Sequence, residues 1–173
     1  MDWQIKPLDS AGVTRSSLKK YKFESGQSDL DQYLKQYAWK NHEWGVSRVF
    51  VAYSLETKTI QGFYTSSMGI ISTQSIPDLQ ENFPTETPAF LVGRLAVDIS
   101  VQKQGLGKKL LRHAFECAID ISHKIGVWAV YVKAKDESVK KYYQNRGFIS
   151  LKNKPLVLFL PLQTIRKAMQ QNT

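Results

Sequence analysis

The stretch on which the fold turns runs from Leu91 to Leu111 and reads LVGRLAVDISVQKQGLGKKLL. Its opening belongs to Ala89–Val97 (AFLVGRLAV), apolar enough to be a strand lying inside a sheet. Its end opens the clearest helix of the chain. From Gly107 to Ile125, the residues Leu110, Leu111, Ala114, Phe115, Ala118, Ile121 and Ile125 recur on one face, and Gly126 stands at the usual C′ stop. Between strand and helix lie Gly105 and Gly107, which lack a Cβ, so the backbone can turn tightly and approach a ligand. The first N–H groups of a helix have no internal partner, and the helix dipole adds positive character there. A pyrophosphate is the natural occupant of such a place. Lys103, Lys108 and Lys109 add mobile positive charge around it.

Working outward, Trp3–Pro7 reads as a short first strand and Asp9–Ser25 as polar and irregular. Ser28 is expected to cap a helix, with Asp31 as a capping-box variant. Leu30, Tyr33, Leu34, Tyr37 and Ala38 then recur at helical spacing, and Gly45 ends that helix. Ser47–Ser54 and Ile60–Ile71 read as strands joined by a turn around Glu56–Thr59. Ser72–Pro88, with three prolines in or just before its end, is expected to be a loop. Beyond the long helix, Val127–Ala134 is a buried strand. Ser138 is expected to cap a short helix reaching Arg146, with Gly147 as its stop. Phe148–Leu151 and Leu156–Leu160 form a closing hairpin, and Pro161 starts a terminal helix through Met169. The order β, α, β, β, β, α, β, α, β, β contains one strand–helix–strand crossover among hairpins, which implies a mixed sheet of the α/β (α+β) class.

Length and composition narrow the function. At 173 residues the chain is expected to be one domain, and 42% hydrophobic with 23% charged residues provides for a packed core. The single Cys117 excludes an internal disulfide, the start MDWQIKPLDS has no signal pattern, and the longest apolar run, Leu156–Leu160, is too short to span a bilayer. Together these predict a cytoplasmic protein with no membrane partner. His42, His113, His123 and Cys117 do not form a ligand spacing, so no metal site is expected. Twenty-four basic against fifteen acidic residues give a net charge of +9, which favours a polyanionic partner: a nucleic acid, an acidic cofactor or an acidic protein.

Two phosphate-binding motifs can be set aside. The Walker pattern needs Gly-Lys followed by Ser or Thr, and Lys109 stands there; the dinucleotide pattern needs a third glycine, and Leu110 stands there. What remains is Gln102-x-x-Gly105-x-Gly107, the pattern of an acyl-CoA pyrophosphate loop. The segment LVGRLAVDISVQKQGLGKKLLRHA resembles motif A of the GNAT superfamily of N-acetyltransferases, and VKAKDESVKKYYQNRGF resembles its motif B. A narrower likeness runs through FESGQSDLDQYLKQYAWKNHEWGVSRVFVAY, Gly93–Asp98 and Phe159–Leu162, which are similar to the acetyltransferase toxins of toxin–antitoxin pairs. The subgroup usually has Asp-Cys where this chain has Glu24-Ser25, a position not expected to do chemistry.

The resemblance implies a GNAT fold over residues 1–173, a mixed central sheet of about seven strands flanked by helices, with a splayed central strand pair. It implies acetyl-CoA as cosubstrate. The edge at Leu95, Ala96 and Val97 would pair with the pantetheine amides as an added strand. Main-chain groups of Gln102, Lys103, Gln104, Gly105, Leu106, Gly107 and Lys108 would hold the pyrophosphate. Tyr143 matches the tyrosine of the family's aromatic-Tyr pair and would donate a proton to the departing thiolate, while Tyr142 is read as packing. The toxins acetylate the α-amine of aminoacyl-tRNA, stop translation, form homodimers and pair with a ribbon-helix-helix antitoxin, and the same is expected here.

No Glu or His lies on the Leu91–Val97 strand, so a general base is not evident. An aminoacyl-tRNA makes this tolerable, because an α-amine titrates near 7.7–8.0 and a lysine near 10.4. Water or Asp98 would relay the proton, although Asp98 is more naturally a turn residue. Lys35, Lys40, Arg48, Arg94, Lys140, Lys141 and Arg146 are the basic residues expected to face tRNA, though each taken singly reads better as part of a solvated face. Exposed Trp39 or Trp44 would stack on a base less readily than it would pack or meet a second copy. Two other functions fit the same residues: a GNAT enzyme for a small amine or a protein N-terminus, and a non-catalytic nucleic-acid-binding module working with an antitoxin.

Overall fold

The computed structural model describes residues 2–74 and 76–171; Ser75, inside the expected 72–88 loop, lies outside the described residues. The strands are β1 (Trp3–Pro7), β2 (Arg48–Ser54), β3 (Thr59–Ser72), β4 (Glu86–Val97), β5 (Ala129–Lys133), β6 (Ile149–Ser150) and β7 (Val157–Pro161). The helices are α1 (Arg15–Leu18), α2 (Ser28–Gln36), α3 (Ala38–Glu43), α4 (Leu106–Ser122), α5 (Glu137–Gln144) and α6 (Leu162–Gln171). All seven strands join one sheet in the order β1-β2-β3-β4-β5-β7-β6. β4 and β5 pair in parallel, as a strand–helix–strand crossover through α4 requires, while β1–β2, β2–β3, β5–β7 and β6–β7 are antiparallel. The sheet is therefore mixed. The chain divides into two compact units, Met1–Ser67 with Gly93–Ala114, and Met68–Val92 with Phe115–Thr173.

In the first unit the core gathers Leu8, Leu18, Phe23, Tyr33, Leu34, Val49, Val51 and Phe63. Phe23 meets Phe63 edge-on at 5.7 Å, and Tyr33 stacks on Phe63 at 6.1 Å. Each fully buried side chain of this size contributes roughly 1.5–3 kcal/mol. Gly62 on β3 lets α4 come close: a Cβ there would stand 3.0 Å from Leu110, 3.1 Å from Leu106 and 3.2 Å from the Ala96 carbonyl. In the second unit Ile71, Ala89, Ala129, Tyr131, Leu151 and Phe159 form the core, with Trp128 stacked on Phe159 at 5.6 Å. Gly69 there has no Cβ because the Tyr131 hydroxyl occupies its place.

Several local expectations are corrected. Gln27, not Ser28, is the N-cap of α2, and it makes no side-chain capping bond; Asp31 instead accepts from Ser25. The helical stretch breaks at Tyr37 into α2 and α3. Asp136, not Ser138, caps α5, accepting the Val139 N–H at 2.9 Å, because an Asp one residue before the helix reaches the first free amides. Gly45 and Gly147 are left-handed, with φ of 71° and 89°, and do serve as stops. Gly126 is not left-handed: α4 ends at Ser122, and Ile125 is left 51% exposed. The segment read as irregular holds a turn at Leu8–Ser10 and α1, the latter closed by a capping box between Thr14 and Ser17. β4 begins at Glu86, inside the expected loop, and α6 begins at Leu162, one residue after Pro161.

Candidate active site

In the first unit, β4 delivers the chain to the glycine loop. Within that strand Gly93 and Arg94 are exposed, Leu95 and Val97 are half-buried, and Ala96 is buried. The last rung of the β4–β5 ladder is Val92–Val132, so Gly93–Val97 continue past it. Asp98 then turns the chain. It is 8% exposed, and its carboxylate accepts from the Glu24 N–H (3.0 Å), the Ser100 N–H (3.0 Å) and the Ser100 hydroxyl (2.6 Å). Its own N–H donates to the Gln61 carbonyl at 2.9 Å. Those bonds close a single turn over Ile99–Val101. Asp98 is thus a turn residue, with its oxygens occupied.

The loop that follows has two left-handed residues, Lys103 with φ 61° and Gly105 with φ 89°. Left-handed residues next to right-handed ones curl successive N–H groups toward one side, the geometry of an anion-binding concavity. Nothing lies within 4 Å of a Cβ built on Gly105, so the glycine answers to the backbone conformation rather than to crowding. The first bond of the α4 ladder is Lys109 N–H to the Gly105 carbonyl at 3.1 Å. The N–H groups of Leu106, Gly107 and Lys108 precede it and have no acceptor among the described residues. The first turn of α4 carries no acid and instead carries Lys108 and Lys109. Two cations there oppose the helix dipole, by about 0.3–1 kcal/mol each, unless an anion sits between them and the amides. Lys109 lies 4.9 Å over the Trp3 ring, whereas Lys103 and Lys108 form no ion pair among the described residues. Leu106 is 1% exposed, so only its main chain is available. These groups fit a diphosphate: among the described residues the amides and the Lys103 and Lys108 ammonium groups have no partner, and the first turn of α4 carries no acid.

Gln102 is an exposed residue whose side chain is tied back to the chain. Its Nε2 donates to the Ser25 carbonyl and to the Val97 carbonyl, each at 2.9 Å. The Val97 carbonyl is therefore already an acceptor within the chain. Gln104 donates to the Ser100 carbonyl at 3.3 Å.

In the second unit, Tyr143 lies on α5 and is 6% exposed. Its ring packs on Phe148 at 5.3 Å and on Tyr142 at 5.2 Å, both edge-on. Burial chiefly, and the neighbouring Tyr142 phenol next, push its pKa well above the ordinary tyrosine value, with Arg146 opposing. The phenol keeps its proton at physiological pH and so has one to give. No side chain among the described residues hydrogen-bonds it. Tyr142 serves as a platform: the Arg146 guanidinium lies 3.5 Å over its ring and donates to its carbonyl at 2.8 Å.

Other basic side chains are partly engaged. Arg94 lies 3.9 Å over the Tyr33 ring, Lys40 lies 4.9 Å over Trp44, Arg48 approaches Asp9 at 3.9 Å, and Lys140 pairs with Glu137 at 3.5 Å. Trp44 is 65% exposed, while Trp39 packs on the core. His42, one of the residues rejected as metal ligands, is buried; its Nδ1 accepts the Val49 N–H at 3.0 Å. Its Nε2 stands 3.1 Å from Asp9, close but not aligned as a hydrogen bond. Among the described residues no group of three or more His, Cys, Asp or Glu could hold a metal ion, and no helix is long and apolar enough to cross a membrane.

Known proteins with this pattern are acetyltransferases. A tRNA-acetylating toxin of Mycobacterium tuberculosis is 34% identical over 145 residues, covering 83% of this chain and 86% of that protein. The structure of AtaT complexed with acetyl-methionyl-tRNAfMet matches with a TM-score of 0.85 at 25% identity, covering 97% of this chain and 99% of that one. A Tyr-to-Phe mutant of AtaT, bound to the C-terminus of the antitoxin AtaR and acetyl-CoA, matches with a TM-score of 0.81 at 25% identity, covering 98% and 99%. The acetyltransferase (GNAT) domain model matches residues 45–150, which take in β2 to β6 and with them the glycine loop and Tyr143. With that span matched, the chain belongs to the GNAT acetyltransferase family.

Proposed function

We propose that this protein is an acetyl-CoA-dependent N-acetyltransferase toxin that acetylates the α-amine of aminoacyl-tRNA and so blocks translation. The observation that carries this reading is the 34% identity, across 83% of the chain, to a toxin named for acetylating tRNA. The solved complex of AtaT with acetyl-methionyl-tRNAfMet supports it, as does the net charge of +9.

Bound acetyl-CoA supplies an acetyl group activated as a thioester. The residues of this chain bind, orient and donate. Leu95, Ala96 and Val97, past the last rung of the β4–β5 ladder, offer backbone groups to the pantetheine amides; at Val97 the carbonyl is shared with Gln102. The main chain from Gln102 through Lys103, Gln104, Gly105, Leu106, Gly107 and Lys108 holds the diphosphate, helped by the Lys103 and Lys108 ammonium groups. Tyr143 donates its proton to the sulfur as the C–S bond breaks and the C–N bond forms, so that CoA leaves as the thiol, while the attacking nitrogen gives up its own proton to water. Burial raises its pKa, so the phenol stands protonated before the step, and solvent restores the proton after it. The whole chain acts as one GNAT domain, working in the cytoplasm as a homodimer held in check by a ribbon-helix-helix antitoxin.

The test is direct. Charged tRNA incubated with the protein and labelled acetyl-CoA should yield acetyl-aminoacyl-tRNA, and induction in a bacterium should arrest growth. Labelling of amines or protein N-termini but not charged tRNA would replace this reading with the broader one, a GNAT enzyme of other specificity.

A further inference from the structure

The pyrophosphate loop is held from outside its own motif, and the hold leads to one carboxylate. Gln102 bridges the Ser25 and Val97 carbonyls. Ile99 N–H donates to the Glu24 carbonyl at 2.8 Å, and Glu24 N–H donates to Asp98 at 3.0 Å. The extended segment Glu24–Ser25 is therefore laced to the entry of the loop by three bonds from 74 or more residues away in sequence. What fixes that segment is Asp31, on the first turn of α2. Its Oδ1 accepts both the Ser25 N–H (2.9 Å) and the Ser25 hydroxyl (2.6 Å). The hydroxyl, having given its hydrogen to Asp31, accepts the Gln27 N–H at 3.2 Å. Ser25 is 8% exposed, so water does not readily replace these partners.

We propose that Asp31, acting through Ser25, is a positioning residue for acetyl-CoA: it fixes the Ser25 carbonyl, which fixes Gln102 and with it the start of the amide array that grips the diphosphate. This rests on the acetyl-CoA reading above. Asp31 touches no reacting atom. Its effect reaches the cofactor through Ser25 and Gln102, and the loop takes its binding conformation before the cofactor arrives. A loop so fixed loses little freedom on binding, and that is where the affinity comes from.

The experiment uses the full chain and acetyl-CoA, with calorimetry for Kd and steady-state kinetics for KM and kcat. Asp31→Ala and Ser25→Ala should each raise Kd and KM for acetyl-CoA about tenfold, while kcat at saturating acetyl-CoA and KM for charged tRNA stay within about twofold. Asp31→Asn, which retains an acceptor oxygen, should recover most of the affinity. Gln102→Ala should weaken binding similarly, and Asp31→Ala/Gln102→Ala should be no weaker than the worse single variant, since both cut the same path. If wild type binds acetyl-CoA and folded Asp31→Ala and Ser25→Ala bind it equally well, the inference is wrong while the acetyltransferase reading stands. A fully additive double variant, or kcat and both KM values failing together with no recovery in Asp31→Asn, also overturns it. If the wild type binds no acetyl-CoA, it is the functional reading that fails.

Discussion

Gly105→Ala is the sharpest probe of the loop, because the structure separates its causes. Gly105 has φ 89°, and a Cβ built there meets nothing within 4 Å. Steric crowding is thereby removed as an explanation, and only backbone conformation is left. An alanine that keeps the left-handed geometry costs about 1–2 kcal/mol. If the variant keeps the loop, that strain appears in the folding equilibrium as a fall in Tm of roughly 2–8 °C for a chain of this size. If the loop relaxes instead, the strain is deferred until acetyl-CoA forces the amides back, and Kd weakens by about five- to thirty-fold. Gly12→Ala is the control. Gly12 has φ 72° and likewise meets nothing within 4 Å, but it lies outside the loop. It should lower Tm comparably and leave Kd for acetyl-CoA unchanged. Scanning calorimetry and titration calorimetry on the three proteins read both quantities. Gly105→Ala with unaltered Tm and unaltered Kd would refute the reasoning, and a Kd loss in Gly12→Ala matching that of Gly105→Ala would show the effect to be unrelated to the loop.

Gly69→Ala should destabilise by about 1–3 kcal/mol, since its Cβ would overlap the hydroxyl of buried Tyr131 and stand 2.9 Å from the ring carbon that bears it; urea unfolding of Gly69→Ala/Tyr131→Phe should recover part of that, and no recovery would count against the hydroxyl clash. Burial, then Arg48, lower the pKa of His42 below 6.5, against the opposing pull of Asp9. The unfolded chain therefore takes up that proton first, so the His42 contribution is whole above about pH 6.5 and is lost as pH falls toward the lowered folded value. His42→Asn, which keeps an acceptor for the Val49 N–H, should flatten the fall in Tm between pH 8 and 5.5, and an unchanged slope would exclude His42. With charged tRNA as acceptor, kcat/KM should rise through pH 7.7–8.0 as the α-amine loses its proton, with no falling limb from Tyr143 below about pH 10. Tyr143→Phe should lower kcat by about a hundredfold or more, keep that rising limb and bind acetyl-CoA normally; wild-type turnover in that variant would remove Tyr143 from the chemistry.

The central crossover was legible because two signals agree there. A continuous apolar run and a 3.6-residue stripe share one glycine junction, and the structure returns β4, the loop and α4 in that order, with Leu110, Leu111, Ala114 and Ala118 buried. The far end of α4 lies short of the expected Ile125 because Ile125 continues the stripe past the last regular turn, which ends at Ser122; apolar periodicity does not register where a helix frays. The cap of α5 lies two residues before the expected Ser138, since Ser and Asp both cap and only geometry decides which one reaches a free amide, and α2 starts after Gln27 with no side-chain cap at all. Least legible was the lacing of Glu24–Ser25 to the loop. Its bonds join residues 74 or more apart through backbone groups, and main-chain partners leave no mark on side-chain spacing. Ser25 and Asp31 are ordinary polar residues in sequence; the burial of Ser25 and its two bonds to Asp31 make them specific.

The strand beside the loop also bears on which nitrogen this site can use. At pH 7 roughly 10–15% of an α-amine of pKa 7.7–8.0 is neutral, against roughly 0.04% of a lysine at 10.4. That few-hundredfold difference corresponds to about 3.4 kcal/mol that a general base would have to supply for lysine. Leu91–Val97 carries no acid or imidazole, and the carboxylate that follows it, Asp98, already accepts three hydrogen bonds while holding the Ile99–Val101 turn. Drawing Asp98 into proton transfer would loosen the turn that sets the loop, so the same residue cannot serve both ends of the reaction. A site built this way suits nitrogens of which a useful fraction arrives neutral, and its catalytic effort goes into aiming the thioester. The lacing of Asp31, Ser25 and Gln102 onto the loop serves that aim, and a lysine ε-amine acetylated as fast as an aminoacyl-tRNA at pH 7 would contradict it.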